Sequence, residues 1–219
     1  MKKVGRAVGV LFLISTGAFM IGSGMLDPIL HRSDLLFSLE SNRTTMVAGL
    51  LLELINAIAV VGIAMLLQPI LKKHHEAFAF GYFASRVMES ALLIVSIISP
   101  LILLTLSKQS IATGTYSDAL LGSIGSLAVE AHYMLFEMAM VVLSLGSLLF
   151  CYILYQSRLV PRWLSVIGLI GYTGLLASSS LSIVGLDVGN TLYIPGAIFE
   201  IVLPIWLIVK GFNLRTKET

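Results

Sequence analysis

Charge is what this sequence has least of. Charged residues make up 12% of its 219 residues and hydrophobic residues make up 57%, whereas soluble globular domains contain about 25% charged residues. So few charged side chains cannot cover a surface in water, which excludes a soluble enzyme, and the high apolar content excludes a disordered chain. A formal net charge of only +2 without a basic stripe argues against nucleic acid as a partner. The composition indicates an integral membrane protein whose surroundings are the lipid bilayer.

Cysteine and histidine are also scarce. The single cysteine, Cys151, cannot form a disulfide within the chain, and we expect it to be a small packing residue. Of the four histidines only His132 lies in an apolar segment, whereas a zinc or haem site built on histidine needs more of them on facing helices. The sequence also has no phosphate-binding loop and no Gly-x-Ser-x-Gly motif. It therefore predicts no cofactor and no metal, and an enzyme is not expected.

Long apolar segments are abundant instead. A helix needs about 20 mostly apolar residues to cross the hydrocarbon core of a bilayer. Six segments satisfy this, at about residues 5–26, 45–71, 77–106, 123–155, 162–184 and 192–209. We expect an all-α fold, a polytopic transmembrane helical bundle of six spans that forms one membrane-embedded domain over residues 1–219. The first span is expected to be a retained signal-anchor, because its apolar segment is too long for a cleaved signal peptide.

The basic residues predict the orientation of these spans. Only Arg32, Arg43 and Lys108 lie on one side of the six-span arrangement, and Arg86 lies within the third span. The other ten lie on the opposite side: Lys2, Lys3, Arg6, Lys72, Lys73, Arg158, Arg162, Lys210, Arg215 and Lys217. Cytoplasmic segments of membrane proteins are enriched in lysine and arginine. We therefore expect both termini in the cytoplasm and a multi-pass protein of the cell (plasma) membrane.

The connection after the first span contains a segment that could lie along the membrane surface. Residues 33–40 predict a short interfacial helix. Ser33 would be its N-cap, and Asp34 would interact favourably with the positive end of the helix dipole.

Polar and charged side chains within the spans form the candidate site. A charged group at the bilayer centre costs about 2.5–3.5 kcal/mol even on the most lenient scale, so it needs a partner or a wet cavity. Five of these side chains are expected near the middle of the membrane: Glu53, Arg86, Glu89, Glu137 and Glu200. Arg86 and Glu89 are three residues apart and can pair on one helix face. The full candidate cluster is Glu53, Asn56, Arg86, Glu89, Glu130, His132, Glu137 and Glu200.

The sequence leaves two interpretations of this cluster open. In one, ion pairs and hydrogen bonds fix the register of the helices. In the other, a polar cavity with protonated glutamates binds or relays a small polar species or protons, and the excess of acid over Arg86 favours it. A divalent-cation site of Glu53, Glu137 and Glu200 is a further alternative.

The leading functional prediction is therefore a non-enzymatic membrane protein with a Glu-rich polar core. The first alternative is a structural or accessory subunit that packs against a partner membrane protein. A weaker alternative is an intramembrane enzyme that acts on lipid.

Small residues recur in the fifth span, which carries no charge within the membrane. Gly168, Gly171 and Gly174 are spaced three residues apart, and small residues at such spacing allow helix backbones to approach closely. We expect a helix-packing seam within the chain, with a homodimer seam as the alternative.

Three segments carry a family resemblance. They are residues 155–168 (YQSRLVPRWLSVIG), residues 83–90 (FASRVMES) and residues 5–13 (GRAVGVLFL). The first resembles the signature after the fourth span of the bacterial domain-of-unknown-function 4386 family, and the second resembles its third-span Arg-x-x-Glu element. The resemblance implies a multi-pass bacterial membrane protein and no established activity. It marks Arg86 and Glu89 as the pair to mutate first.

Overall fold

Helices account for nearly all of the structure, a computed structural model that describes residues 2–32, 34–114, 119–186 and 190–213. A short 3-10 turn, Asn190–Tyr193, leads into the last helix. Six of the helices are long and apolar enough to cross a membrane, which confirms the predicted number of spans. The helices are α1 (Lys2–Leu30), α2 (Leu35–Ser41), α3 (Arg43–Leu71), α4 (Glu76–Thr113), α5 (Ala119–Ser157), α6 (Arg162–Ile183) and α7 (Ile194–Val209).

The helices α4 and α5 are longer than a bilayer requires. They contain 38 and 39 residues, and a rise of 1.5 Å per residue gives each a length of nearly 60 Å, about twice the thickness of the hydrocarbon core. They therefore tilt within the membrane or extend beyond it. Their extension beyond the predicted spans carries them towards α2.

The six spanning helices form a closed ring in chain order. Each packs against the next one along the chain, with α3 following α1, and α7 returns to pack against α1. The closure between α1 and α7 depends on Gly9, where an added Cβ would lie 2.7 Å from the carbonyl oxygen of Pro204. The axis of this ring is enclosed by all six helices, so a side chain from any of them can reach it.

The buried apolar residues form two main clusters along the ring and a small third one of Ala57, Leu93 and Ala139. The larger main cluster includes Val8, Tyr82 and Phe199, and the smaller main cluster includes Leu26 and Met46. On α3 and α4, the polar residues of the candidate cluster fall between the segments that supply these two clusters. The polar side chains of these two helices therefore lie between the two main apolar clusters, beside the small third one.

The short helix predicted at residues 33–40 is present as α2, Leu35–Ser41. It begins at Leu35, because the first helical bond is donated by the Ser38 amide to the carbonyl of Asp34. Asp34 is thus the N-cap, without a side-chain capping bond, and Ser33 lies outside the described residues. Leu36 and Leu39 are buried, and α2 packs mainly on α4. It covers one end of the ring, which we call the α2 end.

The opposite end of the ring holds both the start of α1 and the segment after α7. An added Cβ on Gly5 would lie 3.4 Å from the Cα of Gly211. The described basic residues of the larger group lie at this end, which we call the basic end: Lys2, Lys3, Arg6, Lys72, Lys73, Arg158, Arg162 and Lys210. Arg215 and Lys217, which were assigned to the same side, lie outside the described residues.

Reporter fusions can test the predicted orientation, in which both termini lie in the cytoplasm. A green fluorescent protein fused before residue 1 or after residue 219 is expected to fluoresce, because it would fold in the cytoplasm. The same protein inserted after Gly114, between α4 and α5, is expected to stay dark, whereas alkaline phosphatase at these positions should show the reciprocal activities. Active phosphatase at either terminal fusion would contradict the cytoplasmic orientation.

Candidate functional site

The ring encloses a cavity of about 310 Å³ near its middle. All six spanning helices contribute to its wall, which is mostly apolar and aromatic. The rings of Phe19 and Phe136 stack across the cavity from α1 and α5, with centroids 5.4 Å apart, and limit it towards the α2 end. The main polar side chains in its wall are Ser15, Asn56, Arg86, Glu89, Tyr172 and Glu200.

The ion pair of Arg86 and Glu89 lies against this cavity. Nη1 of Arg86 donates to both carboxylate oxygens of Glu89, at 3.0 and 2.8 Å, and Nε donates to the hydroxyl of Tyr82 at 3.3 Å. Both residues are almost fully buried, at 3% and 2% exposure. The pairing expected from their spacing is confirmed. Because both residues belong to α4, the pair neutralises their charges but does not itself join two helices.

Glu200 of α7 supplies a second carboxyl group to the cavity. The hydroxyl of Tyr172 on α6 donates to its Oε1 at 3.1 Å, and the described residues make no hydrogen bond to its other oxygen. Glu200 is half-buried and lies close enough to Arg86 and Glu89 for electrostatic interaction. The wall therefore carries one arginine and two carboxyl groups, one of which the arginine already binds.

Hydrogen bonds between helices hold the wall of the cavity in place. Ser15 of α1 donates to the side-chain oxygen of Asn56 on α3 at 2.6 Å. Ser90 of α4 donates to the carbonyl of Ala57 on α3 at 2.7 Å. These bonds link three neighbouring helices beside the ion pair, so the polar part of the site is built on rigid elements.

The cavity reaches the outer surface of the bundle between α1 and α7. These helices touch near the basic end, at Gly5 and Gly9. Farther along, Met20 of α1 and Ile201 of α7 line the cavity, yet 64% and 46% of their surfaces are exposed. Since the outer surface of a spanning bundle faces lipid, this opening connects the cavity with the bilayer.

The packing of α7 beside α6 depends on the glycines of the fifth span. An added Cβ on Gly171 would lie 2.4 Å from the backbone nitrogen of Gly196, and one on Gly174 would lie 2.8 Å from the carbonyl of Leu192. Gly168 faces the sulfur of Cys151 and the ring of Phe199. The three glycines thus face other parts of the same chain. They place α7, and with it Glu200, beside Tyr172.

Other members of the predicted cluster do not line this cavity. Glu53 is half-buried near the α2 end, where it interacts electrostatically with Asp27 and Tyr133. His132 contacts the carbonyl of Ser96 at 2.9 Å through Nδ1. Glu130 is exposed beside a separate cavity of about 710 Å³ under α2.

Glu137 lies on α5 but outside the cavity wall. On this helix the residues that face the cavity are Phe136, Met140 and Leu143, and one residue along a helix rotates the side chain by about 100°. Oε2 of Glu137 is buried without a hydrogen-bond partner among the described residues. Glu53, Glu137 and Glu200 are therefore not brought together, and the described residues contain no group of three His, Cys, Asp or Glu that could hold a metal ion.

One polar group near the α2 end was missed by the sequence analysis. Both carboxylate oxygens of Asp27 accept hydrogen bonds, from Tyr133 at 2.8 Å and from Ser23 at 2.9 Å. Asp27 lies just beyond the predicted first span at about residues 5–26, yet α1 continues to Leu30. The spacing of Ser23 and Asp27, four residues apart on one helix face, was the available signal.

Comparison with known proteins identifies a family. A family model described as "Domain of unknown function (DUF4386)" matches residues 7–211. Neither the curated proteins nor the solved structures include a match to this chain.

Proposed function

The chain belongs to the DUF4386 family, and we propose that it is a non-enzymatic membrane protein that binds a small amphiphilic amine in the cavity between its six spanning helices. The proposal rests on one observation, the position and bonding of the carboxyl group of Glu200. It is half-buried in the cavity wall and holds a single hydrogen bond, from Tyr172, among the described residues.

Charge compensation in the cavity supports a cationic group. Arg86 binds Glu89 through both carboxylate oxygens, which leaves Glu200 as the acid without a bonded cation. A charged group in a low-dielectric site needs a partner of opposite charge. A protonated amine at Glu200 would supply that partner and would donate hydrogen bonds to it.

The rest of the wall supports an apolar body on the same ligand. Phe12, Phe19 and Phe136 line the cavity together with aliphatic side chains. Aromatic faces attract a nearby cation and also pack against an apolar body. A volume of about 310 Å³ lies at the lower end of the range for small-molecule sites, roughly 300–1,000 Å³.

The opening between α1 and α7 supports entry from the membrane. Amphiphilic molecules partition into a bilayer, and Met20 and Ile201 border an opening on the lipid-facing surface. A ligand taken from the bilayer would therefore reach Glu200 without crossing the polar ends of the bundle.

Binding of 2-phenylethylamine to the purified protein in detergent tests the proposal. We expect the amine to raise the unfolding temperature and to bind more tightly than 2-phenylethanol or 3-phenylpropionate, which share its body but lack its cation. Glu200→Gln should weaken amine binding about 10-fold or more, because a hydrogen bond to a charged group contributes roughly 1.5–3 kcal/mol. Isothermal titration calorimetry measures each affinity.

Glu137→Gln is the matched control for this experiment. It makes the same substitution at another half-buried carboxyl group in a spanning helix, but outside the cavity wall. Amine affinity should stay within about twofold of the wild type, which corresponds to less than 0.5 kcal/mol. Equal losses in both variants, or equal affinities for the amine and the alcohol, would refute the proposal.

A further inference from the structure

The basic end of the bundle contains a cleft lined by cations from three distant parts of the chain. The cleft has a volume of about 590 Å³. Lys2 comes from the start of α1, Arg158 from the link between α5 and α6, and Arg162 from the start of α6. Lys210 directly follows α7. Its remaining lining residues are uncharged. We call this group of four residues the basic cleft.

Backbone contacts hold these three parts of the chain together, and the start of α1 packs against the segment after α7, where an added Cβ on Gly211 would lie 3.7 Å from the Cα of Lys2. The amide of Asn213 donates to the carbonyl of Leu159 at 2.8 Å, which ties the segment after α7 to the link between α5 and α6. Leu159 and Val160 within this link are buried. Arg158 has a positive φ of 55°, a conformation uncommon for residues with a side chain. The cations are therefore gathered by a defined backbone rather than by a mobile loop.

The start of α6 adds a further positive group to the cleft. Pro161 is the N-cap of this 22-residue helix and makes no side-chain capping bond. The first backbone N–H groups of a helix have no partner within it, and the helix dipole makes this end positive. Both Pro161 and Arg162 line the cleft. Helix N-termini with nearby cations bind phosphate groups.

The charges of the cleft are not neutralised within the described part of the chain. Elsewhere at the basic end, Lys72 pairs with Glu76 at 2.8 Å. Within the described residues, none of the four cations of the cleft forms a salt bridge. All four side chains are exposed. Arg162 is held over the ring of Tyr155, with 5.0 Å between its guanidinium carbon and the ring centroid. Four gathered positive charges therefore favour an anion.

The position of the cleft indicates that this anion belongs to a lipid. It lies at the ends of spanning helices, where phospholipid headgroups are found. Trp163, in the first turn of α6, is 52% exposed, and tryptophan is enriched at the level of the headgroups. Basic pockets between spanning helices bind anionic headgroups. We propose that the basic cleft binds the headgroup phosphate of an anionic phospholipid, a site separate from the cavity around Glu200.

Thermal unfolding in detergent with added lipid tests this proposal. Dioleoylphosphatidylglycerol is expected to raise the unfolding temperature of the wild-type protein by several degrees at concentrations where dioleoylphosphatidylcholine has little effect. Arg158→Gln combined with Lys210→Gln should remove most of this difference. Native mass spectrometry, which counts bound lipid molecules, should show loss of the retained phosphatidylglycerol.

The matched control is Lys72→Gln combined with Lys73→Gln. It removes the same number of positive charges from the same end of the bundle, at the link between α3 and α4, outside the cleft. It should keep the preference for phosphatidylglycerol. An equal loss in both double variants would overturn the proposal, because the lipid would then respond to overall charge.

Inorganic phosphate distinguishes a lipid from a soluble anion. If millimolar phosphate stabilises the wild-type protein while phosphatidylglycerol does not, the cleft takes a soluble phosphate and the lipid proposal is wrong. Stabilisation by phosphatidylglycerol that millimolar phosphate does not reproduce supports it. Both double variants are first checked for unchanged unfolding temperatures without lipid, so that a folding defect is not read as lost binding.

Discussion

Replacing Glu89 with glutamine is expected to lower the free energy of unfolding by about 3 kcal/mol. Removing one partner of a buried ion pair costs about 3–5 kcal/mol, because the other charge stays buried without compensation. Arg86 cannot lose its proton in a protein interior. We expect the lower end of this range because Glu200 remains within electrostatic reach of Arg86. Unfolding in a titration of denaturing detergent, followed by tryptophan fluorescence, measures the loss.

Two further variants separate charge compensation from general damage at this position. Glu76→Gln makes the same substitution in the same helix, but breaks the exposed pair with Lys72, so no measurable change is expected. Glu89→Gln combined with Glu200→Gln should cost more than the sum of the two single variants, because no carboxyl group then faces Arg86. Additive effects would show that Glu200 does not compensate Arg86, and an unchanged Glu89→Gln variant would show that the pair contributes little to stability.

Gly171→Ala is expected to lower the free energy of unfolding about as much as Glu89→Gln does, although it adds only one methyl group. The added Cβ would lie 2.4 Å from the nitrogen and 2.6 Å from the Cα of Gly196. Backbone atoms cannot move aside as a flexible side chain does, so α7 must shift. Overpacking of a core costs about 1–3 kcal/mol, and we expect the upper end because both contacts are with backbone. The same detergent titration measures it.

The shift of α7 in Gly171→Ala should also affect the cavity, because Gly171 precedes Tyr172, the residue that donates to Glu200. Binding of 2-phenylethylamine should therefore weaken in Gly171→Ala. Gly17→Ala is the control, since Gly17 lies within α1 with no atom within 4 Å of an added Cβ. It is expected to keep wild-type stability or gain slightly, because alanine favours helix more than glycine does. Equal stability of the two variants would contradict the close approach of α6 and α7.

The ion pair shows which part of the site can be read from sequence. Arg86 and Glu89 are three residues apart on one helix, so their contact follows from local helix geometry alone. Counting residues along each helix also predicted similar depths in the membrane for four glutamates. Depth depends only on the count of residues along each helix, which the sequence contains.

The rotation of each helix about its own axis could not be read in the same way. Soluble helices reveal their buried face by the contrast between apolar and polar sides. In a membrane both the lipid and the neighbouring helices are apolar, so this contrast is weak. Glu137 and Glu200 therefore looked equivalent in the sequence, yet only Glu200 faces the cavity.

The sequence alone predicted a six-span helical membrane protein in which Arg86 and Glu89 can pair on one helix face. It could do so because a span needs a long apolar segment and the pair needs a fixed spacing on one helix, and both are local properties. The fold then brings together in one cavity Asn56, Arg86, Glu89 and Glu200. It leaves outside that cavity Glu53, Glu130, His132 and Glu137. It also decided that Lys2, Arg158, Arg162 and Lys210 meet in one cleft. These groupings depend on how α7 closes the ring against α1 and α6, a contact between parts of the chain up to about 200 residues apart, which no local pattern encodes.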